Sequence, residues 1–478
     1  MKLSDLLKNI KVLSNYADTE ITGVTDDSRK VTTGCAFVCI EGAKFDGHNA
    51  ARAAVEAGAA AVIAQKETGA VNQVLVKDSR EAYSLICASF FGNPADKLTL
   101  VGVTGTNGKT TTCFLLKDIF ESVGIKTGLI GTIKNVIGDR ELEASLTTPD
   151  SFELQGLFAE MVKQGCTHCV MEVSSQALAQ QRVAGVYFAA AVFTNLTRDH
   201  LDYHGDFESY KAAKHILFEQ AGLAVINMDD DAANDMMSGL TCPCVTYSAK
   251  TDTSDYTAKN IHLKQTGVEY ELVGKNVIGR VQFGVPGTFS VYNSMGAAVC
   301  AAELGIPFRQ VLDALSESKG IKGRIEVVPT NTEFTVIIDY AHSPDGLENI
   351  LNALRELTQG RIITVFGCGG DRDKTKRPLM GETVARLSDY AIVTSDNPRS
   401  EPPGQIIKEI ISGMDGAKIP VIVEEDRTLA IKKALAAAKK DDIVLLAGKG
   451  HETYQILNTG KIHFDEREKV AELLEEKN

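Results

Sequence analysis

Five short apolar runs, "FTVIID", "RIITVF", "YAIVTS", "PVIVEE" and "DIVLLA", recur through the last third of the chain. Between and after them lie helix-like stretches such as "PDGLENILNALREL" and "EREKVAELLEEK". Strands alternating with helices at this spacing predict a parallel sheet with helices packed on it. The same pattern opens at "LTLVGV", which runs through a glycine-rich turn into "TTTCFLLKDIFESVG", and an Ala-rich α/β pattern precedes it. No internal repeat or low-complexity linker interrupts the chain. Turn clusters at "FGNPADK" (Phe91 to Lys97) and "SKGIKGR" (Ser318 to Arg324) divide it into 1–96, 97–322 and 323–478. The expected fold is α/β in three domains.

The 478 residues suffice for two to four domains, and 44 % apolar with 24 % charged residues is the balance of a globular enzyme. A net charge of -13 argues against non-specific nucleic-acid binding. No apolar stretch reaches membrane-spanning length, and "MKLSDLLKNIKVLSNYADTE" has no apolar signal core, so a cytoplasmic location is expected. Of ten cysteines, Cys166/Cys169 and Cys242/Cys244 form near-pairs. Cys169 falls inside a strand-like run and "CPC" is too tight for a zinc knuckle, so reduced, mostly buried thiols are expected.

In open α/β sheets ligands sit beyond the carboxyl ends of strands. Those ends carry the polar residues here: Thr104 onward, Glu172, Asn195 onward, Asp339 onward, Gly367 onward, Asp396 onward and Ala447 onward. In "VGVTGTNGKTTT", Gly105 and Gly108 let backbone N–H groups crowd a phosphate, Lys109 reaches the terminal phosphates and Thr110 suits Mg²⁺. Val103 stands where the generic phosphate loop has glycine, so this loop is a variant. A GTPase is disfavoured because the guanine-reading Asn/Thr-Lys-x-Asp motif is missing. A nucleoside triphosphate is the expected ligand.

"GTNGKTTT", "TTPD" (147–150), "EVSSQAL" (172–178), "TNLTRDHLDYHG" (194–205), "YKAAK" (210–214) and "DYAHSPDG" (339–346) occur in that order. Together, from "DDSRKV" to "GKGHE", they resemble the Mur ligases, ATP-dependent amide-forming enzymes of peptidoglycan precursor synthesis. The resemblance implies a UDP-substrate-binding domain (1–96), a central P-loop ATPase-type parallel-sheet domain (97–322) and a C-terminal Rossmann-like amino-acid-binding domain (323–478). It further implies an acyl-phosphate route that adds a third residue to UDP-N-acetylmuramoyl-L-alanyl-D-glutamate, carried out by a monomer without nucleic-acid or membrane partners.

On that resemblance, Gly105, Thr106, Asn107, Gly108, Lys109, Thr110 and Thr111 hold ATP, with Asn293, Arg324 and Asp339 on its base and ribose. Domain closure would complete that ATP site. Lys109, Glu172, His200 and Lys214 are the implied catalytic residues, and Thr110, Glu172, His200 and a carbamylated Lys214 the Mg²⁺ ligands. Tyr210, Lys214 and Leu217 fall at helical spacing, which puts Lys214 on a partly apolar face. Ser28, Thr147, Thr148, Ser174, Gln180 and Arg182 are the implied UDP-substrate contacts. Gln176 replaces the histidine of many relatives and cannot titrate, so that position is expected to orient rather than transfer protons.

"SDNPRSEPP" follows the run Tyr390 to Val393, and its prolines end the strand in a loop. The resemblance makes Asp396, Asn397, Pro398 and Arg399, with Arg372, Gly448 and Glu452, the amino-acid pocket. A guanidinium at 399 suits the extra carboxylate of meso-diaminopimelate and would face a bare ammonium with L-lysine. The alternatives are the same ligase using L-lysine or another diamino acid, a folylpolyglutamate synthase-like ligase, and a nucleotide-gated binding protein. For Arg399 alone the plain alternative is a turn in which it pairs with Glu401.

Overall fold

A computed structural model describes residues 1–42, 45–197, 201–264, 266–318 and 320–475. The chain divides into two compact units. The first comprises Met1–Thr257, Gly274–Asn276 and Met295–Val311, and the second Ala258–Val273, Val277–Ser294 and Leu312 onward. Among the described residues no helix is long and apolar enough to cross a membrane.

The first sheet contains β1 (Gly23–Thr25), β2 (Cys35–Val38), β3 (Ala61–Ala64) and β4 (Gln73–Leu75), parallel and in chain order. Successive side chains of a strand point to opposite faces, so one run of residues feeds two cores. Ala36, Val38, Ala61 and Ile63 pack with Ala82, Tyr83 and Ile86 of the helix Ser79–Phe90. Phe37, Cys39, Val62 and Ala64 pack with Ala51 and Ala54 of the helix Ala51–Glu56. The "FGNPADK" break is a left-handed Asn93 (φ 50°) followed by Pro94 opening a short 3-10 turn. A proline tolerates that first position because its missing N–H has no partner there.

The second sheet is built around β5 (Thr99–Thr104). Its other strands in the first unit are β6 (Thr127–Ile130), β7 (Lys134–Ile137), β8 (Arg140–Glu143), β9 (His168–Glu172), β10 (Ala190–Phe193), β11 (Ala224–Asn227) and β12 (Cys244–Ser248). They lie in the order β12-β11-β10-β5-β9-β6-β7-β8, parallel as far as β6 and antiparallel through β7 and β8. The central position of β5, between β9 and β10, puts the phosphate loop beside the ends of both neighbours. β13 (Tyr256–Lys264) pairs with β12 through Tyr256 and Thr257, and β14 (Gly267–Gly274) and β15 (Val277–Phe283) follow in the chain.

The third sheet comprises β16 (Glu326–Val328), β17 (Thr335–Asp339), β18 (Ile362–Phe366), β19 (Tyr390–Val393), β20 (Val421–Val423) and β21 (Ile443–Ala447). The five apolar runs of the sequence are its five parallel strands. Their order is β16-β17-β21-β18-β19-β20, with only β16 antiparallel. Alternation again feeds two cores: Ile337, Ile362, Phe366, Val393 and Leu445 on one face, Val336, Ile338, Ile363, Val365 and Leu446 on the other. A hairpin of β22 (Tyr454–Leu457) and β23 (Gly460–His463) follows. The last of these strands in the chain, β21, lies between β17 and β18, a switch point of the kind where α/β sheets bind ligands.

Candidate active site

The phosphate loop leaves β5 and enters the helix Lys109–Ser122. Gly105 has φ +151°, and a Cβ there would fall 1.9 Å from Thr194 Oγ1. No other residue fits so close to the 194–197 segment. That segment holds the loop: Thr194 Oγ1 donates to Asn107 O at 2.6 Å, and Asn107 N–H donates to Asn195 Oδ1 at 2.9 Å. Thr197 N–H donates to Thr106 Oγ1 at 3.0 Å, and Thr106 Oγ1 also meets Tyr210 OH at 3.0 Å. Lys109 Nζ donates to Gly105 O and Thr106 O, each at 2.8 Å. Thr110 and Thr111 occupy the first turn of the helix, where unpaired N–H groups favour an anion.

Lys214 is 1 % exposed, on the helix Phe207–Glu219 with Tyr210 and Leu217 buried along the same face. Its ammonium donates to Gly105 O at 2.8 Å and lies 4.6 Å from the Tyr210 ring centroid. Glu172, at the end of β9, is also 1 % exposed. Its cost of burial is met by Thr132, whose N–H donates to Oε1 at 2.9 Å and whose hydroxyl donates to Oε2 at 3.0 Å. Two hydrogen bonds therefore orient this carboxylate at the strand end. His200 lies outside the described residues.

Thr147, Thr148, Ser174, Gln180 and Arg182 cluster beyond β9. Thr132 Oγ1 meets Thr147 Oγ1 at 3.0 Å, and Thr148 Oγ1 donates to Glu172 O at 2.8 Å and accepts from Ser174 N–H at 3.0 Å. Ser174 Oγ caps the helix Ser175–Ala179 by accepting from Ala177 N–H. Arg182 donates to Gln180 Oε1 at 2.7 Å and to Thr148 O at 2.7 Å. Burial pulls its guanidinium below the usual range, opposed by the charge of Asp150. Ser28 opens the 3-10 turn Ser28–Lys30, and no hydrogen bond joins it to this cluster among the described residues. Gln176 is met by Ser175 Oγ at 3.4 Å.

Asn293, Arg324 and Asp339 belong to the second unit. Asn293 is buried in the helix Thr288–Glu303. Asp339 ends β17 and accepts from Ile325 N–H at 2.9 Å and Ala341 N–H at 2.8 Å. Burial pushes its carboxyl up, and the Arg324 charge and those two N–H groups oppose the rise. Ile325 has φ +47°, a costly value for a β-branched residue, and its N–H reaches Asp339 from that conformation. Arg324 stacks over Tyr340 at 5.0 Å, and its buried Nε has no hydrogen-bond partner among the described residues. Such an orphaned donor beside an aromatic ring suits an anionic or planar ligand.

The loop after β19 is buried at Asp396 and Asn397, and Pro402 and Pro403 start the helix Pro403–Ile411. Asn397 Nδ2 donates to Glu452 Oε2 at 2.8 Å, and Arg399 Nη1 donates to Gly370 O at 2.7 Å. A Cβ at Gly369 would meet Arg399 Nη1 at 2.9 Å and Arg372 Cγ at 3.7 Å. At Gly448 (φ +111°) a Cβ would stand 2.9 Å from Asp396 Oδ2, so the close approach needs glycine. All seven predicted pocket positions thus lie on the loops after β18, β19 and β21. The plain turn pairing is not seen: Glu401 instead takes Arg377 at 2.9 Å and Lys374 at 3.1 Å, leaving Arg399 to Gly370.

Sequence reasoning missed several supports. Lys449 is fully buried against Asn397 and Glu452. Arg427 and Glu466 form an ion pair with both side chains 0 % exposed, and Arg427 also donates to Ser395 O at 3.2 Å and Ala447 O at 2.8 Å. Thr132 is likewise invisible as an isolated threonine. Lys449 carried a signal, standing inside the "GKGHE" stretch beside two pocket positions, as did Thr194 at the head of "TNLTRDHLDYHG".

A variant phosphate loop, a buried carboxylate and a buried lysine gathered at strand ends define a nucleotide-dependent group-transfer enzyme. The sequence matches three family descriptions: "Mur ligase family, catalytic domain" over 20–89, "Mur ligase middle domain" over 103–301, and "Mur ligase, glutamate ligase domain" over 323–450. It is 46 % identical to a UDP-N-acetylmuramoyl-L-alanyl-D-glutamate--2,6-diaminopimelate ligase 1 of Clostridium acetobutylicum, covering 100 % of both chains. It is 47 % identical to the correspondingly named ligase of Caldanaerobacter subterraneus subsp. tengcongensis, covering 100 % of this chain and 99 % of that one. A solved structure of a UDP-N-acetylmuramoyl-L-alanyl-D-glutamate--2,6-diaminopimelate ligase superposes with TM-score 0.75 at 33 % identity, over 100 % and 99 % of the chains. The chain belongs to the Mur ligase family. It is an ATP-dependent ligase of that family, with the three-domain α/β architecture of its structural relatives.

Proposed function

We propose that this enzyme joins meso-diaminopimelate to the D-glutamate of UDP-N-acetylmuramoyl-L-alanyl-D-glutamate, converting ATP to ADP and phosphate, in peptidoglycan precursor synthesis. The observation that carries the amino-acid choice is the loop Asp396 to Arg399, buried against Glu452 with its guanidinium beside Gly369 and Gly370. Diaminopimelate ends in an ammonium and a carboxylate. Glu452 and Asp396 suit the first and Arg399 the second, by paired hydrogen bonds. End-to-end likeness to ligases named for 2,6-diaminopimelate supports the reading.

A carboxylate is a poor electrophile, so the chemistry starts by transferring the γ-phosphoryl of ATP to a carboxylate oxygen. The bond from the γ-phosphorus to the bridging oxygen breaks and ADP leaves. The amine then attacks the acyl carbon, the carbon–oxygen bond to phosphate breaks, and the amine loses a proton. Gly105 to Thr111 would cradle the phosphates, and Lys109 would move from the loop carbonyls onto their negative charge. Ser28, Thr147, Thr148, Ser174, Gln180 and Arg182 would hold the nucleotide substrate. Asn293, Arg324 and Asp339 would hold the base and ribose.

Mg²⁺ fits the donors present. The Thr110 hydroxyl and the buried Glu172 carboxylate are hard oxygen ligands, and His200 would join them. Lys214 as an ammonium has no lone pair for a cation, whereas its carbamate would offer hard oxygens. When bound, the ion would neutralise charge on the transferring phosphates. We assign the segments 1–96, 97–322 and 323–478 to nucleotide substrate, ATP and amino acid respectively, in a cytoplasmic monomer.

The test is phosphate release from ATP with the UDP-linked dipeptide and meso-diaminopimelate, L-lysine or no amino acid. Release only with meso-diaminopimelate is expected. Release with lysine alone would keep the ligase chemistry and overturn the reading of Arg399. No release with either would overturn the substrate assignment.

A further inference from the structure

We infer that Lys449 is a positioning and specificity residue of the amino-acid pocket, an inference that rests on the reading of that pocket given above. Its ammonium is 0 % exposed, where an unpaired cation would be expensive. It donates to Asn397 Oδ1 at 3.2 Å and to Glu452 Oε2 at 3.0 Å, and lies 3.6 Å from Asp396 Oδ1. The Tyr454 ring closes one side at 5.9 Å.

The first consequence is orientation. Asn397 Oδ1 accepts from both Lys449 and Ile456 N–H, the latter at 2.9 Å, so the amide nitrogen is directed at Glu452 Oε2. Ammonium and amide then converge on one oxygen and hold the Glu452 carboxylate in a single orientation. Asp396 Oδ1 is buried and accepts no hydrogen bond among the described residues, which leaves it as an acceptor for an incoming ammonium.

The second consequence is charge. Asp396 and Glu452 bring two negative charges to this pocket, and the Lys449 ammonium, in reach of both, offsets one of them. A ligand end that carries a carboxylate beside its ammonium is favoured by that positive charge. Lysine, whose end is only a cation, is opposed by it. Lys449 therefore favours the dicarboxylic amino acid without touching it.

The test is steady-state phosphate release by Lys449→Met, which fills the space without charge. The KM for meso-diaminopimelate should rise about 10-fold or more, the scale of one charge-assisted hydrogen bond, with KM for ATP and the UDP-linked dipeptide little changed. Preference over L-lysine should shrink by a similar factor, and Lys449→Arg should recover part of it. Combined with Glu452→Gln, the loss should be smaller than the product of the two single losses, because both act through one carboxylate. If the Met variant does not fold, Lys449→Gln carries the same comparison. An unchanged KM and preference would overturn the proposal, as would an equal loss for all three substrates. A wild-type enzyme inactive with meso-diaminopimelate would sink the pocket reading and this role with it.

Discussion

Lys214 Nζ and Lys109 Nζ both donate to the carbonyl oxygen of Gly105, each at 2.8 Å, so two cations from different helices share one phosphate-loop acceptor. Lys109 arrives from the helix that the loop opens, Lys214 from a helix more than a hundred residues along the chain. Loop geometry and the buried lysine are therefore one construction.

Replacing Lys214 by Ala is predicted to lower turnover about 100-fold or more, as expected when charge stabilisation at the transferring group is lost. Short carboxylates such as acetate should restore part of the rate by standing in for a carbamate. Phosphate release with and without added acetate checks this, and full activity in the unsupplemented variant would remove the carbamate from the account.

Arg399→Ala should raise the KM for meso-diaminopimelate by about 10- to 100-fold, the worth of a charge-assisted pair of hydrogen bonds. ATP affinity should hold, because the Arg399 guanidinium donates to Gly370 O, within the amino-acid pocket. Parallel titrations of amino acid and ATP separate the two. An equal loss with diaminopimelate and lysine would count against a specificity role.

Gly105→Ala puts a methyl group 1.9 Å from Thr194 Oγ1 at a φ of +151°. The loop cannot keep its path, and a cost of about 1–3 kcal/mol in backbone strain is expected. Binding of a non-hydrolysable ATP analogue should fall sharply while the helical circular dichroism stays. Unaltered nucleotide binding would show that the loop tolerates a different course.

Removing one partner of the buried Arg427–Glu466 pair leaves the other charged and dry, at a cost of about 3–5 kcal/mol. Arg427→Met should therefore lower the melting temperature strongly, and Arg427→Met with Glu466→Leu should recover part of the loss. If the double variant melts no higher than the single one, the bonds from Arg427 to Ser395 O and Ala447 O dominate instead.

The Arg377 guanidinium holds Glu401 down to about 2 from its ordinary 4.5, with the Asp371 N–H also contributing. A folded value below the unfolded one gives stability that is complete above about 4.5 and lost as pH falls toward 2. Glu401→Gln should flatten that part of the melting-temperature curve between pH 2.5 and 5 and leave its neutral side parallel to wild type. A variant with the same acid slope would assign that slope to other carboxylates.

The strands of the third sheet were legible because each is a short run of apolar residues ended by a turn, and strand formation on a buried sheet needs little else. The strand ends at or just before Lys109, Glu172, Asp339 and Asp396 were legible for the same reason, since each closes such a run. Thr132 was not. Its two hydrogen bonds to Glu172 cross 40 residues, and a threonine in a turn has no periodic signature. Arg427 and Glu466 belong to no motif, and the structure buries both completely.

Local pattern alone therefore determined the α/β class, the phosphate loop, and which strand ends bear chemistry, because these depend on residues adjacent in the chain. The tertiary structure decided which ends meet. Insertion of β21 between β17 and β18 brings Lys449 and Glu452 to Asn397, more than fifty residues away. Strand order depends on how whole faces pack together, and no spacing within one strand encodes it. Burial of Lys214, Lys449 and Arg427 is decided at that level too, since a charge enters the interior only where distant segments supply its partners.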